Sequence, residues 1–137
     1  MKLISYALAL ILLPMAAWAQ DSRFDSHDAY VRFIDNKIMS RDFIPLITQM
    51  GGRDEYTPEQ MNSANARLLN AMPFDFEETA LIKKVDLGNG FSQEMRAYWN
   101  NRTSYVFFYA FLHQNTDELI VLKFSLNTNS EKIFDKF

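Results

Sequence analysis

The sequence predicts an α+β domain in which three amino-terminal helices pack on a four- to five-stranded antiparallel meander. Three observations carry this. Apolar residues recur at spacings of three and four as far as Met72, and from Thr79 onward the period changes to two. The turns between the alternating segments are so short that neighbouring strands must run antiparallel.

Composition sets the bounds. The chain has 137 residues, 48% of them hydrophobic, with four Gly, four Pro and no Cys. That excludes collagen-like, low-complexity and disulfide-framework classes and leaves ample material for one core. It also excludes thiol chemistry and cysteine-based zinc sites. Met1-Lys2 opens an apolar run from Leu3 to Leu13, Pro14 breaks it, and Ala17-Trp18-Ala19 supplies small residues for a cleavage site. The layout is that of a secretory signal peptide over residues 1–19, leaving one domain over 20–137. Export to a periplasm or beyond follows, and a chain without cysteine fits a bacterial periplasm. No second apolar stretch is long enough to span a membrane. Without Lys2 the chain carries 13 basic and 17 acidic side chains, a charge of −4, and the basic residues are scattered. This argues against nucleic acid as a partner.

The first helix is expected over Asp28–Met39, capped by Asp25 or Ser26, with Tyr30, Phe33, Ile34 and Ile38 on one stripe. Asp42 is a candidate cap for a short second helix carrying Phe43, Leu46, Ile47 and Met50, which Gly51-Gly52 ends. The third helix has the clearest local signal. Thr57-Pro58-Glu59-Gln60 combines a cap, proline at the first helical position and glutamine three residues after the cap. Its stripe of Met61, Ala64, Leu68 and Met72 (or Leu69) reads as core rather than as a groove.

Four strands follow, Thr79–Leu87, Phe91–Trp99, Thr103–His113 and Asp117–Asn127, with Glu131–Phe134 as a possible short fifth. A three-residue loop at Gly88-Asn89-Gly90 pairs Leu87 with Phe91 and Val85 with Gln93, and sets Leu81 beside Ala97. It gathers more apolar residues on one face than a two-residue Asn89-Gly90 turn does. A two-residue turn at Asn100-Asn101 then carries that face onto Val106, Phe108, Ala110 and Leu112. The opposite face of the third strand holds Tyr105, Phe107, Tyr109 and Phe111. Two apolar faces exceed what three modest helices cover, so the expectation is a homodimer packed through those four aromatics. The alternative is that residues 20–25 or the carboxyl tail fold over that face.

This order of segments resembles the nuclear-transport-factor-2-like, or cystatin-like, α+β superfamily. The phrases that carry the likeness are Ala29-Tyr30-Val31-Arg32-Phe33-Ile34, Arg41-Asp42-Phe43 and Tyr56-Thr57-Pro58-Glu59-Gln60-Met61, followed by the meander. It is closest to small exported bacterial members. The resemblance implies a curved sheet, a cavity between helices and sheet, and frequent dimerisation through the sheet. It does not imply one activity.

Residues that carry chemistry are few. His27 and His113 read as surface residues, no His–carboxylate cluster has metal-ligand spacing, and no phosphate loop or serine elbow occurs. No cofactor and no metal are expected. The face assigned inward holds Gln93, Met95, Trp99 and Phe108 and lacks a carboxylate; Lys83 and Lys123 are its only charged candidates. The expectation is a non-enzymatic binding or interaction module whose cavity, lined by Met95, Trp99, Val106 and Phe108, takes a small apolar ligand. The rival is an isomerase- or hydratase-type enzyme drawing an acid from Asp75, Glu77 or Glu78. A third reading, an inhibitor or accessory subunit of another exported protein, loses ground because the cystatin signature Gln-x-Val-x-Gly is absent.

Overall fold

The computed structural model of the chain describes residues 22–52 and 55–137. The expected signal segment, residues 1–19, lies outside the described residues. Helix α1 (His27–Met39) starts at Ser26, whose side chain accepts from the Ala29 N–H at 3.1 Å. It buries Tyr30, Ile34 and Ile38, four residues apart, in the main core. Helix α2 (Phe43–Ile47) buries Phe43 and Leu46. Asp42 stands at its cap but makes no cap hydrogen bond, and instead accepts from Lys37 Nζ at 3.2 Å. The chain runs on through a wider turn, Thr48–Gly52, and breaks from helix at Gly51, where φ is 104°. Helix α3 (Pro58–Ala71) has the expected reciprocal cap: Thr57 Oγ1 accepts from Gln60 N–H, and Gln60 Oε1 accepts from Thr57 N–H.

The sheet has five antiparallel strands in the order β1-β5-β4-β3-β2. They are β1 (Arg23–Phe24), β2 (Glu78–Gly88), β3 (Phe91–Trp99), β4 (Tyr105–Gln114) and β5 (Leu119–Asn127). The fifth strand comes from the amino end: Arg23 and Phe24 pair with Ile120 and Leu119. The segment expected as that strand, Glu131–Phe134, is instead part of helix α4 (Ser130–Phe134), started by the Asn129 side chain accepting from Glu131 N–H.

Three local irregularities decide which side chains share a face. The β2–β3 turn is the two-residue Asn89-Gly90, both at positive φ (55° and 85°), and it closes on the pair Gly88–Phe91. A bulge takes up Leu87, so Val85 still pairs with Gln93 as expected. A second bulge, at Ile82, puts Leu81 opposite Arg96 rather than beside Ala97.

Between β3 and β4 the register differs from the expected one. Trp99 pairs with Tyr105, so the connection is Asn100–Ser104, not a two-residue turn. Buried Asn100 builds it: its Oδ1 accepts from Arg102 and Ser104 N–H, and its Nδ2 donates to the Asp75 carbonyl at 3.1 Å. Lengthening the turn by an odd number of residues exchanges the faces. Met95 and Trp99 therefore share the outer face with Tyr105, Phe107, Tyr109 and Phe111, while Glu94, Arg96 and Tyr98 join Val106, Phe108, Ala110 and Leu112 toward the helices.

In β5 the pairs Leu112–Val121 and Phe111–Lys123 leave Leu122 as a bulge. Leu119, Val121, Phe124 and Leu126 all point to the helical side in consequence, although their numbering alternates only in part.

The outer face is roofed by the carboxyl tail. Met95, Tyr109 and Ile133 form a second buried cluster, with Phe107, Phe111 and Phe137 half-buried against it. Phe137 meets Tyr109 edge to face at 5.3 Å, and Lys83 Nζ lies 4.5 Å over the Phe137 ring. Gln93 Nε2 donates both to Tyr109 Oη at 2.9 Å and to the Lys136 carbonyl at 3.1 Å. The reason for expecting a sheet-to-sheet dimer was a bare outer face, and within one protomer Tyr109 is already buried and only Tyr105 of the four aromatics is exposed. We predict that Ile133→Ala costs about 2–5 kcal/mol in chemical denaturation. Ending the chain at Asn129 should make the protein self-associate in light scattering, whereas the intact chain does so far less.

Candidate functional site: an apolar groove and a polar seam

Helix α3 leans mainly on α2 rather than lying across the sheet. Its stripe is consequently only partly core: Met61 and Met72 are buried, while Ala64, Leu68 and Leu69 stay half-buried. The open part of that stripe forms one wall of a groove of about 460 Å³. Phe43, Leu46 and Ile47 of α2 form the floor, Phe124 and Leu126 of β5 the opposite wall, and Tyr56 and Arg67 stand exposed at the rim. The Leu122 bulge is what turns Phe124 and Leu126 toward this groove. The α3 stripe reads as core in the sequence because periodicity reports an apolar face and not what covers it.

A second feature lies under α1. Glu94 is 1% exposed, and its Oε2 accepts from His27 Nε2 at 2.7 Å. Arg96 Nε stands 4.0 Å from Glu94 Oε1, an electrostatic contact without a hydrogen bond. Beside them Tyr98 Oη donates to Asp35 Oδ1 at 2.7 Å, and Tyr30 is wholly buried. Burial by itself would raise the Glu94 pKa. The His27 hydrogen bond and the positive charges of His27, Arg96 and Lys84 outweigh it and hold the carboxyl below its ordinary value. Burial pushes both phenols up, Tyr98 further through its bond to Asp35, so each keeps its proton. An ionised carboxylate sealed among cations is a poor proton donor and a weak base. Its work is to fasten the first residue of α1 to the centre of β3.

This seam was missed in the sequence, where the assumed two-residue turn sent Glu94 and Arg96 outward. The alternation Glu94, Arg96, Tyr98 against Met95, Ala97 is visible, but only the length of the Asn100–Ser104 loop says which set faces the helices. His27, expected as a surface residue, is the Glu94 partner. His113 stacks on Phe91 at 4.1 Å and bonds the Asn89 carbonyl. Of the four residues expected to line one cavity, Val106 and Phe108 are in the helical core and Met95 and Trp99 on the outer face, so the structure does not bring them together. Lys83 and Lys123 pair opposite Met95 and Phe111 on that outer face as well. Asp75, Glu77 and Glu78 are exposed, with Asp75 accepting from Arg41 Nε at 2.8 Å.

Among the described residues no helix is long and apolar enough to cross a membrane, and no group of three His or carboxylate side chains is placed to hold a metal ion. The chain matches no family model, no curated protein and no solved structure. Helices packed on an antiparallel five-stranded sheet are compatible with the nuclear-transport-factor-2-like arrangement.

The Glu94 contacts predict a pH dependence. A carboxyl whose folded pKa is depressed stabilises the protein above its unfolded pKa, and that contribution is lost as pH falls through the depressed value. Glu94→Gln should cost about 1.5–3 kcal/mol at neutral pH. In thermal melts the gap between the variant and the wild type should close as the pH drops below the ordinary glutamate range.

Proposed function

We propose that the protein is a non-enzymatic binding module, exported by the segment 1–19, that holds a small apolar ligand in the groove between α2, α3 and β5. The observation that carries this is the groove itself. Its volume of about 460 Å³ falls within the range of small-molecule sites, and among the described residues that line it only Arg67 is charged. A ligand seated there would cover the half-buried Leu68, Phe124 and Leu126. Removing apolar surface from water is worth about 25 cal/mol per Å², which favours occupancy by an apolar chain or ring.

The expected architecture is kept in this reading, a ligand between helices and sheet, but the walls are different residues. A binding role is also favoured over proton-transfer chemistry by the carboxylates. Those near the sheet edge, Asp75, Glu77 and Glu78, are solvated, and the one buried among the described residues, Glu94, is engaged by His27.

The test uses the neutral dye N-phenylnaphthylamine, whose emission rises in apolar surroundings. The wild-type protein should enhance it. Ala64→Phe, which places a ring in the groove, should abolish the enhancement while leaving the melting temperature within a few degrees. Trp99 emission should not respond, since that residue lies on the outer face. No enhancement by the wild type, or an undiminished signal from Ala64→Phe, would overturn the assignment.

A further inference from the structure

The groove does not end where its apolar walls do. Toward the amino end of α3 it runs into a second depression of about 340 Å³, lined by Glu59, Gln60 and Ser63 and sharing Tyr56, Ala64 and Arg67 with the first. The trough is therefore apolar at Leu68 and Ala71, polar at Gln60 and Ser63, and cationic at the junction. We propose that its ligand is a single-chain amphiphile with an anionic head, the alkyl chain lying over Leu46 and Leu126 and the head meeting the Arg67 guanidinium. This rests on the groove reading and specifies what that groove takes.

The geometry of α3 orders the charges. Arg67 borders both the apolar groove and the polar depression, and Glu59 lies eight residues earlier on the same helix. At 1.5 Å per residue the two backbone positions stand about 12 Å apart along the helix axis. A head held at the junction lies beside Arg67, which borders both depressions, whereas Glu59 borders only the polar one. A carboxylate or sulfonate can also take two parallel N–H bonds from arginine, which an alcohol or a quaternary ammonium group cannot.

The experiment is displacement of N-phenylnaphthylamine from the mature chain by decanoate, decanol and decyltrimethylammonium, with wild type and Arg67→Gln compared. Decanoate should bind wild type about tenfold more tightly than decanol, a difference of about 1.4 kcal/mol. Arg67→Gln should bring decanoate down to the level of decanol and leave decanol unchanged, and added salt should weaken decanoate alone. Equal binding of decanoate and decanol to wild type, or tightest binding by the ammonium compound, would overturn the head-group assignment while leaving the groove standing. If neither the dye nor any of the three binds, the groove reading falls and this inference with it.

Discussion

Strand β4 is apolar on both sides, and covering both is the constraint from which the remaining architecture follows. Val106, Phe108, Ala110 and Leu112 face one way, and Phe107, Tyr109 and Phe111 the other. Each large side chain taken fully from water contributes about 1.5–3 kcal/mol, so neither face can be left open without inviting association. The chain meets this with two unequal covers. Helices α1 and α2 supply Tyr30, Ile34, Ile38, Phe43 and Leu46 on one side, and the last eight residues bring Ile133 and Phe137 onto the other.

That division leaves α3 without a place on the sheet. It is well capped, and it shuts off part of its stripe through Met61 and Met72, but the rest of its apolar face looks across a gap at β5. The groove is thus a by-product of how the core is filled: the helix best specified locally is the one least committed to the interior. The bulge at Leu122 completes it by rotating Phe124 and Leu126 inward and sending an exposed leucine outward.

On the opposite side of the core the polar seam gives the sheet its orientation. A buried carboxylate needs partners, and Glu94 finds them in His27, the first residue of α1, and in the charge of Arg96 one pleat away. Tyr98 reaches Asp35 two turns further along the same helix. The two links span most of α1 and set how it crosses β3, a specification that the aliphatic contacts of Ile34 and Ile38 do not make, because apolar packing is not directional.

How much was legible varies with the physics of each signal. The helices of the amino half, their caps at Ser26 and Thr57, the stop at Gly51, the four long strands and the meander were all readable, because each is fixed by contacts within a few residues. The face on which each strand side chain lies was not. Side-chain direction has a period of two, so the choice between a two-residue turn and the Asn100–Ser104 loop inverts the whole strand, and that loop is held by Asn100 bonding to Asp75, which lies distant in the sequence. The same holds for the roof over the outer face: Glu131–Phe134 can alternate as a strand, and becomes a helix where Asn129 caps it and Met95 and Tyr109 receive Ile133. Local periodicity determined which elements exist; the tertiary structure alone decided which of their faces meet, because one residue in a turn or bulge outweighs the preference of the strand it joins.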